Sequence, residues 1–153
     1  MMSLCCDVLR ALEGKTLVTA ESLTGGGIGA ALTAVSGASA VFKGGVISYC
    51  DEVKHEILGV SGDVLERYGA VSMLTAKAMA SGVREMLKAD YAVSVTGLAG
   101  PGGDEFGHAV GTVFIGFDSQ RCSLAKEYRF SGDREEIRQQ TIRAALELIL
   151  ENV

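Results

Sequence analysis

Two stretches of this chain place chemistry-bearing residues where strands give way to turns. The first is Ala20-Glu21-Ser22-Leu23-Thr24-Gly25-Gly26-Gly27, the second Thr96-Gly97-Leu98-Ala99-Gly100-Pro101-Gly102-Gly103. Glycines in such turns let backbone N–H groups approach an anion, and a helix opening after Gly26 adds its N-terminal dipole. Thr24, Gly25 and Gly26 in the first turn, and Gly97 and Gly100 in the second, are therefore candidate ligand-binding positions. Ser22 at a strand-to-helix turn has the chemistry of an acyl-transfer nucleophile with oxyanion donors nearby. The same residue in the same place also serves as a helix cap. A nucleophilic serine needs a base, and His55, His108 and Lys54 are all available. Lysine suits the role only where burial or neighbouring cations favour its neutral form. The glycine spacing matches neither G-x-G-x-x-G nor G-x-x-x-x-G-K-[ST], so neither a dinucleotide fold nor a P-loop is expected.

Two further pairs stand out. Tyr49 and Lys54 follow the second extended run, where a strand end would turn them toward the glycine crevice. Arg134 and Arg138 open the last helix, where cations oppose the helix dipole. Two guanidiniums converging on a phosphate or carboxylate would account for them. The four cysteines, Cys5, Cys6, Cys50 and Cys122, form no C-x-x-C pattern. They read as reduced thiols used as small apolar side chains in a cytoplasmic protein. His55 and His108 are the only histidines, too few to assemble a zinc cluster easily.

The elements that must position these residues follow from the apolar pattern. Helical spacing runs over 4–12, a short buried strand over 16–20, and a small-residue helix from the first glycine turn to about 35. Residues 40–49 read as extended, interrupted by Gly44-Gly45, and short helices follow near 51–58 and 61–68. Ser72 is placed to cap a helix whose buried stripe is Ala76, Met79, Ala80, Val83 and Leu87. A strand over 91–95 leads into the glycine-rich loop 96–108, then strands over 110–117 and 123–130 joined by a hairpin at Ser119-Gln120-Arg121. Asp133 with Glu136 makes a capping-box start for the helix 133–151. The pattern predicts a three-layer α/β/α domain with a mixed, mostly parallel sheet and one antiparallel strand. In such sheets ligands bind beyond the carboxyl ends of the strands.

The 153 residues suit one domain across 1–153. With 48% hydrophobic residues and 22% charged ones, a packed core is expected rather than disorder. A net charge of −5 argues against a nucleic-acid binder and fits poorly with an anionic membrane surface. Early charges at Asp7, Arg10 and Glu13 leave no room for a signal-peptide core, and no apolar run is long enough to span a bilayer.

The run Ala20-Glu21-Ser22-Leu23-Thr24-Gly25-Gly26 resembles the A-E-S-x-T-G-G signature of the CinA carboxy-terminal domain family. That family includes stand-alone nicotinamide-nucleotide amidases of the PncC type. The resemblance continues through Gly45-Val46-Ile47-Ser48-Tyr49, Lys54, Gly69-Ala70-Val71-Ser72 and Ser94 to Gly103. It closes with Val110-Gly111-Thr112-Val113-Phe114-Ile115-Gly116 and Gly132-Asp133-Arg134. It implies a three-layer α/β/α fold without the amino-terminal domain of full-length CinA proteins. The implied reaction is hydrolysis of the carboxamide of nicotinamide mononucleotide to nicotinate mononucleotide and ammonia, with neither metal nor organic cofactor. By the resemblance Ser22 is the nucleophile and Lys54 its base. Tyr49 and Thr96 fall at active-site positions, Glu21 supports the first loop, and Arg138 falls at a ligand-binding position. The flat pyridine ring needs a flat pocket, and a homo-oligomer of two or more copies is expected. Three positions depart from the family pattern: Leu23 replaces a frequent cysteine, Asp51 a frequent asparagine, and His108-Ala109 a common lysine-proline. Two rivals use the same residues: a nucleotide-binding regulatory module without turnover, and an amidase for another small amide. Ammonia release from nicotinamide mononucleotide, compared with free nicotinamide, separates them.

Overall fold

Strand β1 (Leu17–Glu21) is buried along its whole length, as a strand paired on both edges requires, and it carries Thr19 and Glu21 into the interior beside Leu17, Val18 and Ala20. A computed structural model describes residues Met1–Val153 and places β1 beside β2 (Phe42–Ile47) and β3 (Tyr91–Gly97), parallel to both. β4 (Thr112–Ser119) runs antiparallel to β3 and to β5 (Ser123–Arg129), completing a sheet of order β2-β1-β3-β4-β5. β4 is thus the one strand of opposite direction, as predicted. The hairpin closes at Ser119, whose N–H donates to the Cys122 carbonyl at 2.8 Å while its hydroxyl accepts from the Cys122 N–H at 3.1 Å.

Alternation along the strands divides the core into two layers. Leu17, Val93, Val95, Val113, Ile115 and Phe117 face α1 (Met2–Ala11), α2 (Gly27–Thr33) and α6 (Arg134–Glu151). Val18, Ala20 and Ala92 face the other layer, where Leu65 of α4 (Gly62–Tyr68) joins Met79, Ala80 and Val83 of α5 (Met73–Leu87). Leu146, Leu148 and Ile149 of α6 are fully buried, each contributing about 1.5–3 kcal/mol relative to exposure.

Both long helices begin as their sequences require. The Ser72 hydroxyl accepts from the Thr75 N–H at 3.0 Å. Asp133 and Glu136 form the reciprocal capping box that opens α6. The run 40–49 departs from expectation. A short 3-10 turn occupies Ala38–Ala40, and Gly44 and Gly45 lie inside β2 instead of interrupting it. The register slips between Leu17 and Val18, leaving Lys43 opposite no β1 residue. Gly45 then meets Thr19 so closely that a Cβ would overlap its side chain.

Because β1, β2 and β3 are parallel neighbours, their carboxyl ends share one edge of the sheet. Glu21 pairs with both Ile47 and Val95. The two glycine turns and the segment Ser48–Lys54 therefore emerge side by side.

Candidate active site

The turn that carries Ser22 is built around a buried carboxylate. Glu21 accepts from the Thr24 hydroxyl at 2.6 Å and the Ile28 N–H at 2.8 Å through Oε1. Its Oε2 accepts from the Gly29 N–H at 3.1 Å. An anion is favoured at the start of α2, where N–H groups lack helical partners. The Ser22 N–H donates to the Val95 carbonyl at 3.1 Å, so the turn is pinned to β3 at its first residue. The next N–H groups, of Leu23 and Thr24, pair with no carbonyl of the fold although both residues are buried. Buried N–H groups are seldom left so, and these two lie beside the serine.

Lys54 comes from α3 (Asp51–Glu56) and is 1% exposed. Its Nζ donates to the Ser48 carbonyl at 2.6 Å and lies 3.1 Å from Ser22 Oγ. Burial lowers the pKa of this amine below the ordinary lysine range, while Asp51 and Cys50 oppose the shift in part. Desolvation disfavours the ammonium, so more of the amine is neutral than in water. Of the three bases left open by the sequence, only Lys54 is hydrogen-bonded to Ser22. His55 Nδ1 is 2.7 Å from the Val60 carbonyl, and His108 Nδ1 is 2.6 Å from Asp104 Oδ2.

A cleft of about 660 Å³ opens over this pair. Ser22, Lys54, Tyr49, Thr96, Gly97 and Gly100 all line it. Thr96 donates its hydroxyl to the Ala70 carbonyl at 2.7 Å, joining the second glycine turn to the segment before α5. Glu21, Thr24, Gly25 and Gly26 do not line the cleft and belong instead to the turn that carries Ser22. Asp104, Glu105 and Phe106 complete one wall. The sequence offered no periodic signal for them, since they sit in a loop.

The two arginines of α6 divide their work differently from expectation. Arg138 lies under the first turn, donating from Nε to the Leu23 carbonyl and from Nη2 to the Thr24 carbonyl, both at 3.1 Å. Its Nη1 pairs with Glu135 at 2.8 Å. Arg134 reaches the cleft instead, donating to the Gly100 carbonyl at 2.6 Å and to the Tyr49 hydroxyl at 2.8 Å. Both were visible as misplaced cations in the sequence.

The chain matches a known family. The model of the CinA C-terminal domain matches residues 2–153. A CinA-like protein of Endomicrobium trichonymphae is 44% identical over 135 residues, covering 88% of this chain and 32% of the relative. One from Thermosynechococcus vestitus (strain NIES-2133 / IAM M-273 / BP-1) is 49% identical over 121 residues, covering 78% and 29%. The chain thus spans about a third of the length of the curated relatives it matches. Among solved structures, the competence damage-inducible protein A (ComA) of Klebsiella pneumoniae subsp. pneumoniae MGH 78578 superposes with a TM-score of 0.96 at 37% identity, over 99% of this chain and 95% of that one. The competence/damage inducible protein CihA of Agrobacterium tumefaciens gives 0.94 at 38% identity, over 98% and 93%. With the family model matching residues 2–153 and the five-stranded mixed sheet shared with these solved structures, the chain belongs to the CinA C-terminal domain family.

Proposed function

We propose that residues 1–153 form one amidase domain that hydrolyses the carboxamide of nicotinamide mononucleotide, giving nicotinate mononucleotide and ammonia. The observation that carries this reading is the contact between a buried lysine amine and a serine hydroxyl at the floor of a cleft. A lysine with its charge disfavoured by burial is a base, and a serine at 3.1 Å is within its reach.

In this mechanism neutral Lys54 takes the Ser22 proton as Oγ bonds to the carboxamide carbon. The carbonyl oxygen becomes an oxyanion that takes the unpartnered N–H group of Leu23, a residue of the cleft wall, as donor. The Lys54 ammonium then protonates the leaving nitrogen, the C–N bond breaks, and ammonia departs. A water molecule, deprotonated by Lys54, attacks the acyl-serine. Collapse of the second tetrahedral intermediate returns the proton to Ser22 and releases the carboxylic acid. The Ser48 carbonyl holds Nζ in place throughout. Arg134 and the second glycine turn supply cationic and N–H donors for a phosphate. The reaction recycles a by-product of NAD consumption in the cytoplasm, and the protein acts as a homo-oligomer without cofactor. No helix is long and apolar enough to cross a membrane.

The test is ammonia release from nicotinamide mononucleotide, its nucleoside, free nicotinamide and simple aliphatic amides. Turnover of the nucleotide above the rest supports the reading. Nucleotide binding without ammonia release favours a regulatory module, and preference for another amide reassigns the substrate.

A further inference from the structure

We propose that Phe106 is a specificity-determining residue, its ring forming the wall against which a flat aromatic ring of the substrate packs. The inference rests on the amidase reading for the identity of that ring. Its own grounds lie in the wall of the cleft. Only two aromatic side chains line the cavity, Tyr49 and Phe106. The Tyr49 hydroxyl accepts from Arg134, which gives that side chain a polar task. Phe106 has no polar handle, yet stands 39% exposed in the stretch 102–108, whose other residues are glycines, Asp104, Glu105 and His108.

The surroundings hold the ring in the cleft wall. Asp104 Oδ1 accepts from the Phe106 N–H at 3.2 Å and the His108 N–H at 2.9 Å, so one carboxylate closes the turn from inside. Oδ2 pairs with His108 Nδ1, and the His108 ring meets Phe114 of β4 edge-on at 6.2 Å. The turn is thereby tied to the sheet. The Phe106 ring rests on Gly69, where φ is +80° and a Cβ would lie 2.5 Å from a ring carbon. Only glycine both adopts that backbone and leaves that seat. The ring is thus packed from below, still partly exposed, and borders the same cleft as Ser22 and Lys54.

A fixed phenyl face suits a flat ring, and an electron-poor, positively charged pyridinium best, through stacking and cation–π attraction. An aliphatic amide gains little from it. Phe106 would therefore select carboxamides borne on aromatic rings, leaving acyl transfer to Ser22 and Lys54.

The experiment compares wild type, Phe106→Leu and Phe106→Trp, each checked by thermal melting. Calorimetry measures binding of nicotinate mononucleotide and of ribose 5-phosphate, which lacks the ring. Phe106→Leu should weaken nicotinate mononucleotide binding by about tenfold and raise KM for the amide substrate more than it lowers kcat. Ribose 5-phosphate should bind all three proteins alike, and Phe106→Trp should retain ring binding. Unchanged nicotinate mononucleotide affinity in Phe106→Leu overturns the inference, as does an equal loss for ribose 5-phosphate or no ring binding by wild type. If wild type releases no ammonia but Phe106→Leu still selectively loses nicotinate mononucleotide, the amidase reading fails and the aromatic wall stands.

Discussion

Lys54 Nζ lies 3.1 Å from Ser22 Oγ, although Ser22 stands on the turn after β1 and Lys54 on α3, which follows β2. Parallel pairing accounts for the meeting. The Ser48 N–H donates to the Glu21 carbonyl at 2.8 Å, continuing the β1–β2 ladder past the strand ends. Ser48 is thereby set beside Ser22, and its own carbonyl receives the Lys54 amine. One short helix, α3, carries the lysine back over the turn that follows β1.

Ser22→Ala should preserve the fold. The backbone of Ser22 is held by Val95, and its hydroxyl contributes no cap to α2. The Lys54 amine retains the Ser48 carbonyl as acceptor. Thermal midpoints should agree to within the effect of about 1 kcal/mol, while ammonia release falls by at least about a thousandfold. A folded variant with wild-type turnover would remove Ser22 from the chemistry.

Lys54 ties activity and stability to pH in the same direction. Its folded pKa lies below the unfolded value because burial disfavours the ammonium. Between those two values the unfolded chain binds more protons, so stability rises with pH and levels off above the ordinary lysine pKa. Activity should rise over the pH range where the folded lysine loses its proton. Lys54→Met keeps the length of the side chain and removes the amine. It should abolish turnover and flatten the alkaline part of the stability profile, read by urea melts at a series of pH values. Lys54→Arg should also be inactive, since guanidinium does not deprotonate. Recovery of most of the rate by arginine would make Lys54 an orienting cation only.

Much of this site was legible from local signals. The caps at Ser72 and Asp133 involve donors and acceptors close in sequence, and both formed as read. The two glycine turns follow buried strands, and parallel pairing brings them to one edge. Less legible were features decided by packing between distant segments. Gly44 and Gly45 read as an interruption, but the slip at Lys43 and the close approach of Gly45 to Thr19 keep them in an edge strand. The small-residue helix ends at Thr33, short of the predicted 35. Which arginine enters the cleft depends on the rotation of α6 against the loops, and spacing along one helix does not determine it. Phe106 carries no period at all, and its place depends on a glycine 37 residues earlier in the chain.

Glu21 is a test of how firmly the nucleophile turn must be held. Its carboxylate accepts from two hydroxyls, those of Thr24 and Thr19, and from two N–H groups at the start of α2, at 2% exposure. In Glu21→Gln one oxygen becomes an NH₂ that can no longer accept, so donors are left facing a donor. The change should cost about 1–3 kcal/mol of stability. It should also lower kcat beyond what the melting shift explains, because the turn presenting Ser22 loosens. Glu21→Asp keeps the charge but shortens the reach, and should fall between. Melting by circular dichroism alongside ammonia release separates the two effects, and an unaltered kcat in Glu21→Gln would show that the turn holds itself.

The two arginines of α6 should separate phosphate recognition from loop support. Arg138 donates to two carbonyls of the turn that carries Ser22 and pairs with Glu135. Charge-assisted bonds of this kind are worth about 1.5–3 kcal/mol when buried, and less here, since the side chain is 32% exposed. Arg138→Ala should therefore lower the thermal midpoint by about 2–6 °C in a domain of this size. Its losses on nucleotide and nucleoside should be equal, because the guanidinium does not line the cleft. Arg134 lines the cleft and is held by Gly100 and Tyr49 in a position open to a ligand. At the start of α6 its charge opposes the helix dipole by about 0.3–1 kcal/mol, and a bound phosphate reverses that sign. Arg134→Ala should cut kcat/KM for nicotinamide mononucleotide by at least about tenfold while sparing the dephosphorylated nucleoside. The comparison of both substrates in both variants is decisive. Equal losses for Arg134→Ala on nucleotide and nucleoside would move phosphate recognition to the glycine turns, and a phosphate-selective loss in Arg138→Ala would reverse the assignment.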